Sequence, residues 1–242
     1  MAGDQRCDGR TAILLFHDSL GCVELWREFP EQLAIRTRLP VVAYDRLGFG
    51  YSDEHPGALS LSFIRDEAIS TVPRICEALA LDTIIPFGHS VGGAMAVATA
   101  AQLPNRCAIV ITESAQSFVE DRTIRGVHAA EADFKRPEHL QRLAKYHGSK
   151  TRWVLDAWIK TWLSPAFADW CLDQDLRRVR ARILALHGDN DEYGSTEHPK
   201  RIARLAGGES RMLILKKCGH IPHRQQPKRV LDEVAGFLAI AD

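Results

Sequence analysis

The feature that most constrains this chain is a serine flanked by glycines, between two segments of different hydrophobic pattern. Residues 83–87 form an apolar run too short for a helix, and residues 91–102 form an alanine-rich segment typical of a helix. Between them lies the motif Gly-x-Ser-x-Gly at positions 88–92. Small residues around a serine at a strand-to-helix junction permit a sharp turn that holds the hydroxyl at the edge of a sheet. The motif therefore predicts that Ser90 is a nucleophile.

Short apolar runs alternate with helix-forming segments along most of the chain. Such alternation predicts an α/β fold, in which a mostly parallel central sheet is flanked by helices and joined by right-handed crossovers. The runs are mostly apolar throughout, as expected of strands that are covered on both faces. About six strands are predicted, in residues 11–16, 39–44, 83–88, 107–112, 182–187 and 211–215.

One segment interrupts this alternation. Residues 114–175 show helical periodicity without a strand-like run, and they contain four of the five tryptophans. No linker, repeat or low-complexity tract separates this segment from the rest of the chain. We therefore expect residues 1–242 to form a single domain into which residues 114–175 are inserted as a helical unit.

The composition argues against several classes of protein. Lys plus Arg equals Asp plus Glu, 31 each, so no net charge favours nucleic acid or an anionic membrane as a partner. No apolar run is long enough to span a bilayer, and residues 1–10 lack the apolar core of a signal peptide. The six cysteines are scattered without a CxxC pair, which is typical of reduced thiols and not of disulfides or a zinc site. These features predict a cytoplasmic protein.

Residues that can do chemistry follow several of the predicted strands. Sites in open parallel sheets form outside the carboxyl ends of the strands, so these residues are expected to share one edge. Ser90 follows the third strand and Glu113 the fourth. Asp191 follows the fifth strand, and His220 and His223 follow the last. The first strand is followed by His17, Asp18 and Ser19.

Four motifs in register resemble those of the α/β-hydrolase superfamily, in its branch of small serine hydrolases with a helical cap. They are the serine turn at 88–93, the loop Asp-Arg-Leu-Gly-Phe-Gly-Tyr-Ser at 45–52, the turn His-Gly-Asp-Asn-Asp at 187–191, and the Gly-His pair at 219–220. They span most of the chain and keep the order of the family. The resemblance implies that residues 114–175 are the cap, that Asp191 is the catalytic acid, and that His220 is the base.

The implied roles agree with the chemistry of these side chains. His220 would take the proton of the Ser90 hydroxyl and return it to the leaving group. Asp191 would orient the imidazole and stabilise its charged form. Glu113 ends the fourth predicted strand, a position that some related hydrolases use for the acid, so it stays open as the alternative. The rival base is His223.

The oxyanion of the tetrahedral intermediate would be met by the backbone N–H groups of Val91 and Ser19. Val91 follows the nucleophile at the positive end of its helix, and Ser19 lies in the loop after the first strand. In this loop Asp18 stands where the family usually has glycine, which adds a carboxylate near a site of developing negative charge. His89, just before the nucleophile, is expected to point away from Ser90 and to have a structural role.

Members of the family usually carry an antiparallel hairpin before the first main strand. Here the first apolar run begins at residue 11, so we expect that hairpin to be reduced or absent. Its absence would expose one edge of the sheet, which favours pairing with another chain. A monomer or a homodimer is therefore expected.

The resemblance implies a hydrolase that cleaves a small-to-medium, apolar carboxylic ester through an acyl-enzyme intermediate. It implies no cofactor and no metal, and the expected partner is a small-molecule substrate. Tyr146, Trp158 and Trp162 are candidates for lining the substrate pocket. Thioester, lactone and carbon–carbon bond hydrolysis use the same triad and stay open, as do a cofactor-independent oxygenase and a small-molecule receptor on the same fold.

Overall fold

The computed structural model describes residues 10–239, in which six parallel strands form one sheet. Their order across the sheet is β2-β1-β3-β4-β5-β6, so the chain passes from β1 to β2 at one edge, reverses direction, and then continues from β3 to β6 at the other edge. The predicted α/β architecture with about six strands is confirmed. The strands are β1 (Thr11–Phe16), β2 (Val41–Ala43), β3 (Thr83–His89), β4 (Ile109–Glu113), β5 (Arg182–Gly188) and β6 (Ser210–Leu215).

The sheet divides the hydrophobic core into two layers, one on each face. Along β1, Leu14 and Phe16 face one layer while Ile13 and Leu15 face the other, as the two-residue period of a strand requires. The four central strands are almost wholly buried, whereas β2 and β6 at the edges are partly exposed. This burial on both faces explains why the central strands read as continuously apolar runs.

Eleven α-helical segments are present among the described residues. The alanine-rich helix after β3 is buried along its first ten residues, because small side chains let it pack closely against the sheet. The helices are α1 (Phe29–Thr37), α2 (Phe63–Asp66), α3 (Val72–Ala78), α4 (Val91–Gln102), α5 (Asp121–Asp133), α6 (Pro137–His147), α7 (Thr151–Trp162), α8 (Asp173–Arg178), α9 (Glu197–Leu205), α10 (Pro222–Gln225) and α11 (Pro227–Ala239).

Two predicted helices are interrupted, and prolines account for both interruptions. The helical pattern over residues 22–38 is split into a 3₁₀ turn at Val23–Trp26 and helix α1, with Pro30 in the first turn of α1. The pattern over residues 62–81 contains a π-helical turn at Glu67–Thr71 just before Pro73. Proline has no N–H for the carbonyl four residues earlier, so a regular α-helix cannot continue through it unchanged.

Residues between β4 and β5 contain helices α5 to α8 and no strand of the sheet. This helical segment extends a little beyond the predicted boundary, since α8 ends at Arg178. The expected loss of the hairpin before β1 concerns residues 1–9, which lie outside the described part of the chain. Within residues 10–239, no helix has the length and hydrophobicity that crossing a membrane requires.

Candidate active site

Ser90 occupies a strained turn between strand β3 and helix α4. Its backbone angles are φ 58° and ψ −126°, a conformation that residues other than glycine rarely adopt. The turn is held because the Ser90 N–H donates to the carbonyl of Glu113 at 2.9 Å, and the Gly93 N–H donates to the carbonyl of Ser90 at 2.9 Å. The predicted sharp turn at the end of the third strand is therefore present, and it projects Ser90 from the carboxyl edge of the sheet.

Glycines at 88 and 92 permit the close approach that this turn needs. A Cβ atom on Gly88 would lie 1.9 Å from the carbonyl oxygen of Gly92, and one on Gly92 would lie 2.1 Å from that of Phe16. Both obstacles are backbone atoms, which cannot rotate away as a side chain can. The helix therefore packs against β1 and β3 at a distance that only glycine allows.

Replacing Gly92 with alanine should destabilise the protein, because the added methyl group collides with the backbone of β1. Overpacking of this kind typically costs about 1–3 kcal/mol of unfolding free energy. Urea denaturation followed by circular dichroism measures the change. Gly236→Ala is the matched control, because a Cβ at that position in α11 meets no atom within 4 Å and alanine favours a helix. Equal loss of stability in both variants would contradict this account of the turn.

Asp191 is the carboxylate that the fold brings to His220. Nδ1 of His220 lies 2.9 Å from each oxygen of the Asp191 side chain. The same carboxylate accepts hydrogen bonds from the backbone N–H groups of Tyr193, at 2.8 Å, and Gly194, at 3.0 Å. Burial alone would raise the pKa of Asp191, but the charge and hydrogen bond of His220 outweigh burial and hold that pKa well below its usual range. Asp191 is therefore ionised and fixed in place.

Glu113, the alternative acid, lies on a different histidine. Its Oε2 atom is 2.5 Å from Nδ1 of His223, and both side chains are buried. Burial raises the pKa of Glu113, but its interaction with His223 outweighs burial and lowers that pKa overall. The two carboxylates and two histidines at this edge thus form separate pairs, Asp191 with His220 and Glu113 with His223.

Gln116 contacts the candidate nucleophile and was not identified from the sequence. The Ser90 hydroxyl donates a hydrogen bond to Oε1 of Gln116 at 3.2 Å. Gln116 follows β4 and is 3% exposed, which places a polar side chain inside the site. Gln116 lies just beyond Glu113, the last residue of β4, and this position after a strand end is the sequence signal that could have identified it.

The two expected oxyanion donors come from different segments of the chain. Val91 is the first residue of α4, so its N–H is one of those that a helix leaves without an intrahelical acceptor. Ser19 lies in the loop after β1 and lines the same cavity as Ser90 and His220. This loop is braced by His17, whose Nδ1 lies 2.9 Å from the Asp18 carbonyl oxygen.

A cavity of about 430 Å³ opens over Ser90 and His220. Its walls come from the loop after β1, from the helical segment between β4 and β5, and from the turn that carries His220. All three predicted pocket residues, Tyr146, Trp158 and Trp162, line this cavity. Most of the surface of the cavity is apolar, and its aliphatic and aromatic residues include Leu20, Leu25, Val127, Phe134, Leu143 and Ile221. Charged and polar side chains also line it, among them Asp18, Asp133, His139, Arg142 and Arg224.

The start of the helical segment holds the turn that carries Asp191. The Arg122 guanidinium donates to the Asp191 carbonyl at 3.0 Å, and the Thr123 hydroxyl donates to the Tyr193 carbonyl at 2.7 Å. The Glu120 carboxylate accepts two hydrogen bonds from Ser195, one from its backbone N–H at 2.6 Å and one from its hydroxyl at 2.9 Å. The helices over the cavity and the acid turn are therefore joined by direct hydrogen bonds.

Glu120 is held as a carboxylate by these contacts and by a buried histidine. Nδ1 of His198 accepts the Ser117 N–H at 3.0 Å, so the other ring nitrogen carries the proton and donates to Glu120 at 3.2 Å. Burial would raise the pKa of Glu120, but the hydrogen bonds from His198 and Ser195 outweigh it and lower that pKa to about 2. The carboxylate therefore stays charged and bonded at neutral pH.

The fold and this arrangement of side chains define a member of a known family. The model of the α/β hydrolase family matches residues 13–233, so the chain belongs to that family. It is 25% identical over 249 residues to the 2-hydroxy-6-oxo-2,4-heptadienoate hydrolase of Pseudomonas putida F1, covering 90% of this chain and 84% of that enzyme.

Solved structures show the same fold at lower sequence identity. A meta-cleavage product hydrolase from Pseudomonas fluorescens IP01, a mutant form complexed with acetates, superposes with a TM-score of 0.73 at 21% identity, covering 96% of this chain and 92% of the other. A thermophilic esterase from Thermogutta terrifontis, with malate bound, superposes with a TM-score of 0.71 at 20% identity, covering 95% and 89%.

Proposed function

We propose that this protein is a serine hydrolase that cleaves a small-to-medium, largely apolar carboxylic ester through an acyl-enzyme intermediate on Ser90. The observation that carries the proposal is the His220 ring, fixed by both oxygens of Asp191 and lining the same cavity as Ser90. Membership of the α/β hydrolase family supports a hydrolytic reaction. The mostly apolar lining of the cavity supports a substrate with hydrocarbon groups on one or both sides of the ester.

In the proposed mechanism, Nε2 of His220 takes the proton of the Ser90 hydroxyl as its oxygen attacks the ester carbonyl carbon. Asp191 holds the Nδ1–H tautomer and stabilises the imidazolium that forms. The negative charge on the carbonyl oxygen is met by the N–H groups of Val91 and Ser19. The imidazolium then protonates the leaving alcohol, and a water activated by the same ring hydrolyses the acyl-enzyme.

A series of p-nitrophenyl esters with acyl chains of increasing length tests the proposed substrate class. The cavity volume and lining favour chains of intermediate length, so kcat/KM should rise from the acetate and fall again for long chains. Thioesters and lactones of matched size should be assayed alongside. Absence of turnover on every ester, with the protein folded, would overturn the proposed function.

A second candidate reaction is hydrolysis of a carbon–carbon bond in a substrate that carries a carboxylate. The relatives named as heptadienoate and 2-hydroxymuconate semialdehyde hydrolases support it. Two arginines, Arg142 and Arg224, also line the cavity, and neither forms an ion pair with a carboxylate of residues 10–239. Arg224 is half-buried, and its guanidinium donates to the carbonyl of Leu25. Such cations suit an anionic group on the substrate.

Replacing Arg224 with glutamine should selectively impair anionic substrates if it binds their carboxylate. A hydrogen bond to a charged group contributes about 1.5–3 kcal/mol, so kcat/KM for p-nitrophenyl hemisuccinate should fall about 10- to 150-fold. The value for neutral p-nitrophenyl butyrate should change little. Lys228→Gln, an exposed position outside the cavity, is the control for a general change of charge. Equal losses on both esters would exclude this role of Arg224.

A further inference from the structure

We propose that His89, the residue before the candidate nucleophile, is a positioning residue whose imidazolium ties the loop after β1 to the base His220. The inference rests on the serine hydrolase function proposed above and adds a component to its machinery. Two observations lead to it. Each ring nitrogen of His89 has a hydrogen-bonding partner, and one of these partners is the carboxylate of Asp18, at a position where the family usually has glycine.

Both ring nitrogens of His89 face hydrogen-bond acceptors. Nε2 lies 2.8 Å from the backbone carbonyl oxygen of His220, and Nδ1 lies 3.3 Å from Oδ2 of Asp18. A neutral imidazole carries a proton on only one nitrogen, so its other nitrogen would present a lone pair to one of these oxygens. Both contacts are satisfied together only when the ring is doubly protonated. His89 is 1% exposed, so water does not substitute for either partner.

Asp18 is held in its ionised form. Its Oδ1 atom accepts the N–H of Leu20 at 2.8 Å, which leaves Oδ2 for His89. Burial alone would raise the pKa of Asp18, but the hydrogen bond and charge of His89 outweigh burial and hold that pKa far below its usual range. Burial lowers the pKa of His89, but its hydrogen bond to Asp18 outweighs burial, and the net effect raises that pKa. The two groups therefore form an ion pair in which His89 is buried and Asp18 is partly exposed.

The other ionisable groups around His89 come from three further elements of the fold. Glu113 of β4 adds a second negative charge, which also raises the pKa of His89. The ring of His223 in α10 lies 5.1 Å from that of His89, and burial keeps the pKa of His223 below its usual value, so it adds little positive charge. The His220 ring lies 5.0 Å away. The balance of these groups favours a cation at His89.

Three more ionisable side chains lie on the side of His89 that faces the loop after β1. His17 and His89 line a second, small cavity beside the loop after β1. Burial holds the pKa of His17 well below the usual value, so this ring is neutral. Burial also keeps the Cys22 thiol protonated by raising its pKa to about 11. Arg224, which also lines this cavity, is the other cation near Asp18. None of these side chains forms an ion pair with Asp18 in the described part of the chain.

This ion pair gives His89 two effects on the proposed reaction. Ser19, the expected second oxyanion donor, lies between Asp18 and Leu20, so the hydrogen bonds of Asp18 fix the loop that presents its N–H. The imidazolium also offsets the Asp18 charge, which would otherwise oppose the negative charge that develops on the substrate. Because the same ring bonds the His220 carbonyl, one side chain sets the position of both the oxyanion loop and the base.

The central test compares His89→Gln, Asp18→Asn and the double variant. Since misplacing an oxyanion donor costs about 10²–10³-fold, each single variant should lower kcat on p-nitrophenyl butyrate on the order of 10²-fold, with KM little changed. Both changes break the same contact between His89 and Asp18, so the double variant should lose much less than the product of the single losses. Multiplied losses, or a fall in melting temperature with kcat unchanged, would overturn the inference. Asp18→Asn is isosteric, which keeps the test valid if His89→Gln does not fold.

The pH profile gives a second readout. Because the pKa of His89 is raised, its charged ring is present at low pH and is lost as the pH rises through that pKa. The hold of the charged ring on the oxyanion loop is lost with it. The wild type should therefore lose kcat on the alkaline side, and Asp18→Asn should lose it at lower pH, because the carboxylate that raises the pKa of His89 is gone. An alkaline limb at the same pH in both proteins would contradict the proposed ion pair.

Nitrogen-15 NMR of histidine-labelled protein separates failure of this inference from failure of the proposed function. The ring of His89, assigned by comparison with His89→Gln, should show two protonated nitrogens at neutral pH in the wild type and one in Asp18→Asn. A neutral His89 ring in the wild type would refute the inference whatever substrate the protein cleaves. A charged ring in a protein without any hydrolytic turnover would instead refute the proposed function.

Discussion

Ser90→Ala should abolish ester hydrolysis while leaving the fold intact. Loss of the nucleophile in a serine hydrolase lowers kcat by about 10⁴- to 10⁶-fold. Alanine is no more strained than serine at φ 58°, and the change removes one hydrogen bond, to Gln116. The loss of stability should therefore be about 1 kcal/mol. Initial rates on p-nitrophenyl butyrate and a thermal melt measure both effects.

Ser114→Ala is the matched control for this variant. Ser114 is also a buried serine at a strand end with positive φ, at 48°, and its hydroxyl has no hydrogen-bond partner among the described residues. Its removal should leave kcat within a few-fold of the wild type and should not reduce stability. Full activity in Ser90→Ala would contradict the mechanism, whereas equal inactivation of both variants would indicate a general disturbance of this strand edge.

Asp191→Asn should cost nearly as much activity as loss of the serine. An asparagine can donate its amide protons to Nδ1 of His220, which favours the tautomer that cannot accept the Ser90 proton. In serine proteases such a change lowers kcat about 10⁴-fold. Glu113→Gln should retain most of the activity, because Glu113 contacts His223 and not His220. It should instead lower the free energy of unfolding by about 1–3 kcal/mol, because the buried hydrogen bond between Glu113 and His223 is lost.

These two variants form a direct comparison because each removes one carboxylate charge from the same edge of the sheet. Steady-state kinetics and urea denaturation on both proteins show which variant loses more activity and which loses more stability. The account predicts that catalysis is lost in Asp191→Asn and stability in Glu113→Gln. The opposite ranking would make Glu113 the acid and would require the Asp191–His220 contact to change during the reaction.

The sheet could be predicted from sequence because its strands are short and mostly apolar, and the four central ones are buried. Buried strands in a parallel sheet carry no polar alternation, so the six apolar runs correspond to β1 to β6 with end shifts of one or two residues. The interrupted helices were less predictable. The pattern over residues 62–81 gives the correct buried face, but it does not show that the backbone widens into a π turn before Pro73.

The side-chain pairings at the site are beyond what sequence spacing determines. Spacing placed Asp191, Glu113, His220 and His223 at one edge, but which carboxylate meets which histidine depends on the path of two turns. His89 shows the same limit. The sequence predicts a structural role for its side chain but not its partners, the His220 carbonyl and the Asp18 carboxylate, which are distant along the chain. Only the fold brings these groups together.

Mass spectrometry of a trapped enzyme tests whether Ser90 is the nucleophile and whether His220 activates it. The folded protein is treated with a fluorophosphonate inhibitor that reacts with activated serines, then digested, and the modified peptide is sequenced. The account predicts one adduct, on Ser90, which forms far more slowly in His220→Ala and in unfolded protein. An adduct on another residue, or rapid labelling of Ser90 that does not depend on His220, would contradict the claim that His220 activates Ser90.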